Sequence, residues 1–301
     1  MNAELLQLVV LITYGNEFLT GRRPDAPELF PSHPAFHGVG HLSFRRIGRG
    51  LRGGPFLDQE IATDTRTWFR ALQASGIKRL RMALVARADE ELPEPIAAAF
   101  IGGGTWAIQA DAGDAAEVWR SLWSVQEGRR EPKPAEQRLE SWLTRLRRAI
   151  WPAQARRESP GPRGDTTWSV SYVGVAHYPC RVPFGSVQEA TGELEDALRR
   201  ARDFARGMTW EAHFSRALEL LGGSAAGSES CHELLPASFR TPEVCRLLAG
   251  ALASWVFGGM GSWNDLSFED ETRQKAYDAV TRHLYQAVLG AMGAVANATA
   301  A

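Results

Sequence analysis

The strongest constraint on the fold lies near the end of the sequence. Two stretches of helical periodicity flank the loop Phe257-Gly258-Gly259-Met260-Gly261-Ser262-Trp263-Asn264-Asp265. Upstream, Thr241 supplies an N-cap hydroxyl, and Pro242 suits a first turn because its missing N–H has no helical partner there. Val244, Leu247, Leu248, Ala251 and Trp255 follow as one apolar stripe. Downstream, Tyr277, Val280, Leu284, Val288 and Val295 form another. A short connection favours antiparallel packing of these two helices. Trp263 is expected to plug the open end of the pair, with Asn264 and Asp265 bonding the loop backbone. The alternative turns Trp263, Asn264 and Asp265 outward as a binding surface. Phosphate binding is not expected, because the loop follows a helix and lacks the Lys-Ser or Lys-Thr of a P-loop.

The preceding chain mixes periods. Residues 3–18 are apolar nearly all round, which predicts a buried helix. Residues 21–34 carry four prolines and predict no regular element. Leu42 to Ile47 reads as a strand, and Gly48, Gly50, Gly53, Gly54 and Pro55 read as a loop. Asp64 or Thr63 caps a helix that runs to Ala74 and stops at Ser75-Gly76. Lys78 to Ala86 alternates as a half-buried strand, and Thr105 to Ala110 is another. A short helix is expected at 93–100, ended by Gly102-Gly103-Gly104. Asp114 is expected to cap a helix with the stripe Val118, Trp119, Leu122 and Val125. Residues 134–151 predict an amphipathic helix ended by Pro152. Trp168 to Val175 alternates as a strand able to join the sheet of the first half. Helices are expected at 187–205 and 210–221, with a small-residue loop at 222–229.

These periods give an α+β (mixed α/β) class: a small sheet packed on helices, then a mostly helical C-terminal part ending in a helical hairpin. Residues 1–151 are read as the mixed part, 152–166 as a linker or mobile loop, and 167–301 as one strand plus helices. The two parts form either separate domains or one continuous domain.

Composition narrows the setting. The chain has 301 residues, 44% apolar and 23% charged, with a net charge of -1, which disfavours a whole-chain nucleic-acid or membrane-surface binder. Ten Trp supply core volume or, alternatively, an aromatic-lined groove. Cys180, Cys231 and Cys245 are odd in number, widely spaced and without a CxxC, which predicts reduced thiols and a cytoplasmic location. The apolar run Leu5 to Ile12 is too short to span a bilayer and has no basic residues before it. Abundant Ala, Arg and Gly associate the chain with bacterial sources.

Several constellations are candidates for chemistry. His33, His37 and His41 are three imidazoles within nine residues, and neutral imidazoles ligate zinc or other transition metals. On an extended chain the outer two would lie ~26 Å apart, so a metal site needs a fold-back at Gly38 and Gly40. Cys180 lies beside Arg181 and near His177 at a strand end, where a lowered pKa would make a nucleophile. Cys231-His232-Glu233 is a dyad only on paper, since adjacent side chains seldom converge. Arg120 to Arg163 carries eleven Lys or Arg against five Glu, so the basic segment 129–163 is the candidate for nucleic acid.

No complete catalytic set emerges. The expected function is a non-enzymatic cytoplasmic protein-interaction component of the immunity, antitoxin or defence-system type, with a protein partner, no cofactor and no membrane. The competing expectation is an enzyme, metal-dependent through His33, His37 and His41 or thiol-dependent through Cys180 with His177.

Overall fold

The computed structural model describes residues 3–51, 53–85, 106–113, 115–127, 166–223, 228–258 and 261–299. Two compact units divide the chain. One comprises Leu6–Ala86 with Trp106–Val182; the other comprises Pro183–Ala301 with Met1–Leu5 and Arg87–Thr105. The fold is α+β, a mixed sheet with helices followed by a helical C-terminal part.

The first unit is built on helix α1 (Ala3–Leu19), strands β1 (Val39–Gly50) and β2 (Gly53–Ala62), helix α2 (Thr65–Ala74), and strands β3 (Arg79–Leu84), β4 (Trp106–Asp111), β5 (Ala116–Glu127) and β6 (Thr166–Ala176). Its six strands lie in the order β2-β1-β6-β5-β4-β3. Only β1 and β6 run parallel; the other neighbours are antiparallel. The strand expected near Trp168 thus joins the sheet of the first half, between β1 and β5.

Period-two alternation decides which side chains the helices cover. Phe44, Trp119 and Tyr172 share one sheet face, where Trp68 of α2 stacks on Phe44 at 4.4 Å and Phe44 stacks on Tyr172 at 5.3 Å. Helix α1 buries Leu8, Val9, Val10, Leu11 and Ile12 completely, as an all-round apolar helix must. It also carries polar anchors. Tyr172 donates to Gln7 Oε1 at 3.0 Å. The Asn16 amide donates to Leu80 O at 2.9 Å and accepts from Leu80 N at 2.7 Å, pairing a backbone that the sheet edge leaves open. Asp64 caps α2 through Thr67 N at 2.7 Å.

Two expectations are corrected here. Residues 116–127 form strand β5, not a helix capped by Asp114. Glu117, Trp119 and Ser121 are buried at a spacing of two, and the β-branched and aromatic residues Val118, Trp119, Trp123 and Val125 fit a pleated surface. The helical stripe of Val118, Trp119, Leu122 and Val125 arose because apolar residues occupy both faces of this strand. The glycine-rich stretch 48–55 is not a loop either. Residues 48–50 end β1 and residues 53–55 begin β2 of an antiparallel pair, with register shifts at Phe44/Arg45 and Arg49/Gly50. The helices expected at 93–100 and 134–151, Gly102-Gly103-Gly104, the basic segment 129–163 and the linker expected at 152–166 lie outside the described residues, except that Thr166 begins β6.

The second unit holds helices α3 (Val187–Phe204), α4 (Thr209–Leu221), α5 (Ser228–Leu234), α6 (Pro242–Ala253) and α7 (Glu271–Asn297). Ser186 and Glu189 form a capping box on α3, and Thr241 caps α6 through Val244 N. Helix α3 packs on α4 and α7, α6 packs on α3, α4 and α7, and α5 packs on α6. Of the predicted stripes, Val244, Leu247, Leu248, Ala251 and Trp255 are buried on α6 and just beyond it, as are Tyr277, Leu284, Val288 and Val295 on α7, whereas Val280 is half-buried. The expected reduced state of all three cysteines is corrected. Cys231 on α5 and Cys245 on α6 are joined by a disulfide, and Cys180 is free. Sequence spacing gave no sign of the bond because the partners lie 14 positions apart with a helix start between them.

Candidate functional site

The three histidines of the N-terminal loop meet different surroundings. His33 caps a single 3-10 turn (Pro34–Phe36), its Nδ1 accepting from Ala35 N at 3.2 Å. Its ring lies edge-on to Tyr14, and burial lowers its pKa from 6.5 to about 4. His37 and His41 are exposed. Among the described residues no group of three or more His, Cys, Asp or Glu is placed to hold a metal ion.

Cys180 and His177 likewise have separate partners. The Cys180 thiol donates to Gln109 Oε1 at 3.1 Å. Gln109 in turn donates to Asp111 at 2.6 Å, and Arg81 pairs with Asp111 at 2.8 Å. Burial, then the Asp111 charge, pushes the thiol pKa up, against a lesser opposing effect of Arg81. A raised pKa keeps the sulfur protonated at neutral pH and thus a poor nucleophile. His177 has a positive φ of 57° and reaches the carbonyl of Leu51 at 3.1 Å. That bond ties the β1–β2 turn to the end of β6. Cys231 is bound in the disulfide, and the His232 ring lies 3.2 Å from the Arg240 guanidinium.

The loop between α6 and α7 closes around Trp263. The indole is fully buried within the second unit, packed edge-on against Phe204, Trp210 and Phe214. Its N–H donates to Thr281 Oγ1 at 2.7 Å, and Tyr277 donates to the Trp263 carbonyl at 2.7 Å. Asp265 accepts from the backbone N–H groups of Gly261 and Ser262, and Gly261 takes a φ of +83° that favours glycine. Asn264 is half-buried and Asp265 exposed. Of the candidate contact residues, the Trp263 side chain therefore offers no surface to a partner.

A groove of about 380 Å³ lies in the second unit between the starts of α3 and α6 and the end of α7, lined by Ser186, Thr241, Glu243, Val244, Asn297 and Thr299 among others. Its helix N-termini are already served by the chain's own carboxylates. Backbone and hydroxyl hydrogen bonds of Ser186 lower the Glu189 pKa, and Glu243 is lowered by its own N–H and the Thr241 hydroxyl. An anion would have to displace them.

Among the described residues, large apolar side chains are exposed at Phe56 on β2, at Tyr178, and twice at the far end of β5 and β6. Leu122 is 59% exposed and Val125 53% exposed. Val125 pairs with Trp168, and Trp123 pairs with Val170, so these four share one face while Leu122 faces the other way. Trp123 and Trp168 are half-buried and meet edge to face at 6.1 Å. The helical reading of this stretch counted Leu122 and Val125 as core and left Trp123 aside. Spacing of two through Glu117, Trp119, Ser121 and Trp123 was the signal that locates them.

Comparison with protein-family models, curated proteins and solved structures returns no match for this chain.

Proposed function

We propose that this chain is a non-enzymatic protein-interaction component whose contact surface is the far end of β5 and β6. The observation that carries the proposal is this strand end itself: Val125, more than half exposed, lies beside the Trp123–Trp168 pair on one face, and Leu122, also more than half exposed, stands on the other. Exposed apolar side chains at one end of a two-stranded segment mark contact sites when a partner can reach both of its faces, and Trp is enriched among residues that dominate binding energy. The protonated Cys180 thiol and the separate surroundings of His33, His37 and His41 favour this reading over a thiol- or metal-dependent enzyme. A role in immunity, toxin neutralisation or defence is a narrower form of the proposal, supported if the partner is a toxin-type enzyme.

A photo-crosslinking amino acid placed at 122 or 125 in the native host tests the surface. Discrete adducts with one protein from both positions, absent when the probe stands at exposed Asp196 on α3, support it. No adduct, or the same adducts from all three positions, overturns it.

A cytoplasmic location is part of the proposal. Among the described residues no helix is long and apolar enough to cross a membrane. The Cys231–Cys245 bond bears on the compartment, because permanent disulfides belong to oxidising ones. Alkylation of acid-quenched native cells decides: a substantial fraction of chains with three free thiols supports the cytoplasm, and a uniform single free thiol places the chain outside it.

A further inference from the structure

We propose that Cys231 and Cys245 form a reversible redox latch that fastens α5 to α6, and that reduction releases the segment from Ser228 to Phe239. The two sides of the bond are held very differently. Helix α6 is fixed independently of the disulfide, since it packs on α3, α4 and α7 and buries Leu247, Leu248, Ala251 and Leu252. Helix α5 has seven residues, too few to persist as an isolated helix, and packs on α6. Its polar tethers include the bond from Arg240 Nε to Leu235 O at 2.7 Å and the Arg240–His232 contact. Breaking the disulfide therefore loosens α5 and leaves α6 in place, which is the asymmetry of a latch.

The sulfurs differ in access as well. Cys231 is fully buried and Cys245 half-buried, so an incoming thiolate meets Cys245 first. In exchange with a dithiol reductant, that thiolate bonds to Cys245 Sγ. The Cys245–Cys231 bond breaks, and Cys231 leaves with the electron pair and takes a proton. The reductant's second thiolate then displaces Cys245 and the reductant departs as its own disulfide, two electrons having passed to the chain. Release uncovers Leu234, Leu235 and Phe239, all buried in the latched form. The reduced chain thereby gains an apolar surface that the oxidised chain hides.

Hydrogen exchange by mass spectrometry on the full chain, oxidised and then treated with dithiothreitol without denaturant, tests the latch. Constraint of a loop this short shifts opening by roughly a hundredfold. The expected result is faster exchange by about that factor across 228–239, with 242–253 and 271–297 unchanged, reversed on reoxidation with glutathione disulfide. The doubly substituted Cys231→Ser, Cys245→Ser chain should match the reduced form. The proposal is overturned if the bond resists dithiothreitol until the chain unfolds, if protection of 228–239 is the same in both states, or if protection is lost across α6 and α7 together.

Discussion

Trp119 on β5 pairs directly with Gly174 on β6, and the indole fills the space that a side chain at 174 would need. A Cβ built there lies 2.6 Å from two ring atoms of Trp119. The ring has no room to retreat, because it is fully buried and meets Trp68 edge-on at 5.5 Å.

Gly174→Ala should therefore destabilise the first unit by about 1–3 kcal/mol, the usual cost of overpacking a tight core. Urea denaturation followed by Trp fluorescence measures it. A midpoint equal to that of the unsubstituted chain would mean that the ring and strand shift freely.

The loop between α6 and α7 makes a prediction of its own. Thr281→Val keeps the shape of residue 281 and removes the acceptor of the Trp263 N–H. A buried donor left without its partner costs about 1–3 kcal/mol. Trp263→Ala should cost more, about 3–5 kcal/mol, because it also opens a cavity among Phe204, Trp210 and Phe214. Equal stability of Trp263→Ala and the parent in thermal and urea unfolding would remove the plug role.

Acid should weaken both units through buried imidazoles. Burial lowers the pKa of His33 and of His213 from 6.5 to about 4, with a hydrogen bond to the Ala253 backbone opposing the effect at His213. Each ring is neutral in the folded chain down to about pH 4 and titrates near pH 6.5 when unfolded. Between those values the unfolded state binds more protons, so stability rises with pH and is lost as pH falls from 6.5 towards 4. At one pKa unit per 1.36 kcal/mol, the loss is on the order of 3 kcal/mol per histidine. His33→Asn keeps an N-cap acceptor for Ala35 N and does not titrate, so it should flatten the pH dependence of the first unit's unfolding midpoint. An unchanged slope would contradict the assignment.

The thiol chemistry is equally checkable. Cys180, protonated and bonded to Gln109, should react with iodoacetamide at pH 7.5 more slowly than a free thiol such as glutathione. Labelling as fast as that of glutathione would return Cys180 to the list of nucleophiles.

Much of this architecture was legible in the sequence, for identifiable reasons. Asp64, Thr241 and Ser75-Gly76 are local signals, and they mark the helix ends where expected because caps act within one turn. The stripes on α6 and α7 were readable because each helix buries one face for several turns. β5 was not, because Val118 and Trp119 are both buried while Leu122 and Val125 are both exposed. A strand with apolar residues on both faces satisfies a helical template as well as its own. The Cys231–Cys245 bond and the Asn16–Leu80 pairing were hidden for another reason: both depend on tertiary approach. The candidate site was less legible than the fold. Trp263 was conspicuous and is buried, whereas Trp123 and Trp168 acquire meaning only once β5 and β6 are paired.

The most direct test of the central claim is quantitative capture from the native host, comparing the full chain with its Leu122→Ser, Val125→Ser variant. Both positions are exposed, so the variant should retain its unfolding midpoint within about 0.5 kcal/mol. The expected result is a defined, near-stoichiometric protein recovered with the parent chain and reduced at least roughly tenfold with the variant, as for loss of interface anchors. Equal recovery with both chains, or recovery of no protein other than further copies of this chain, would contradict it.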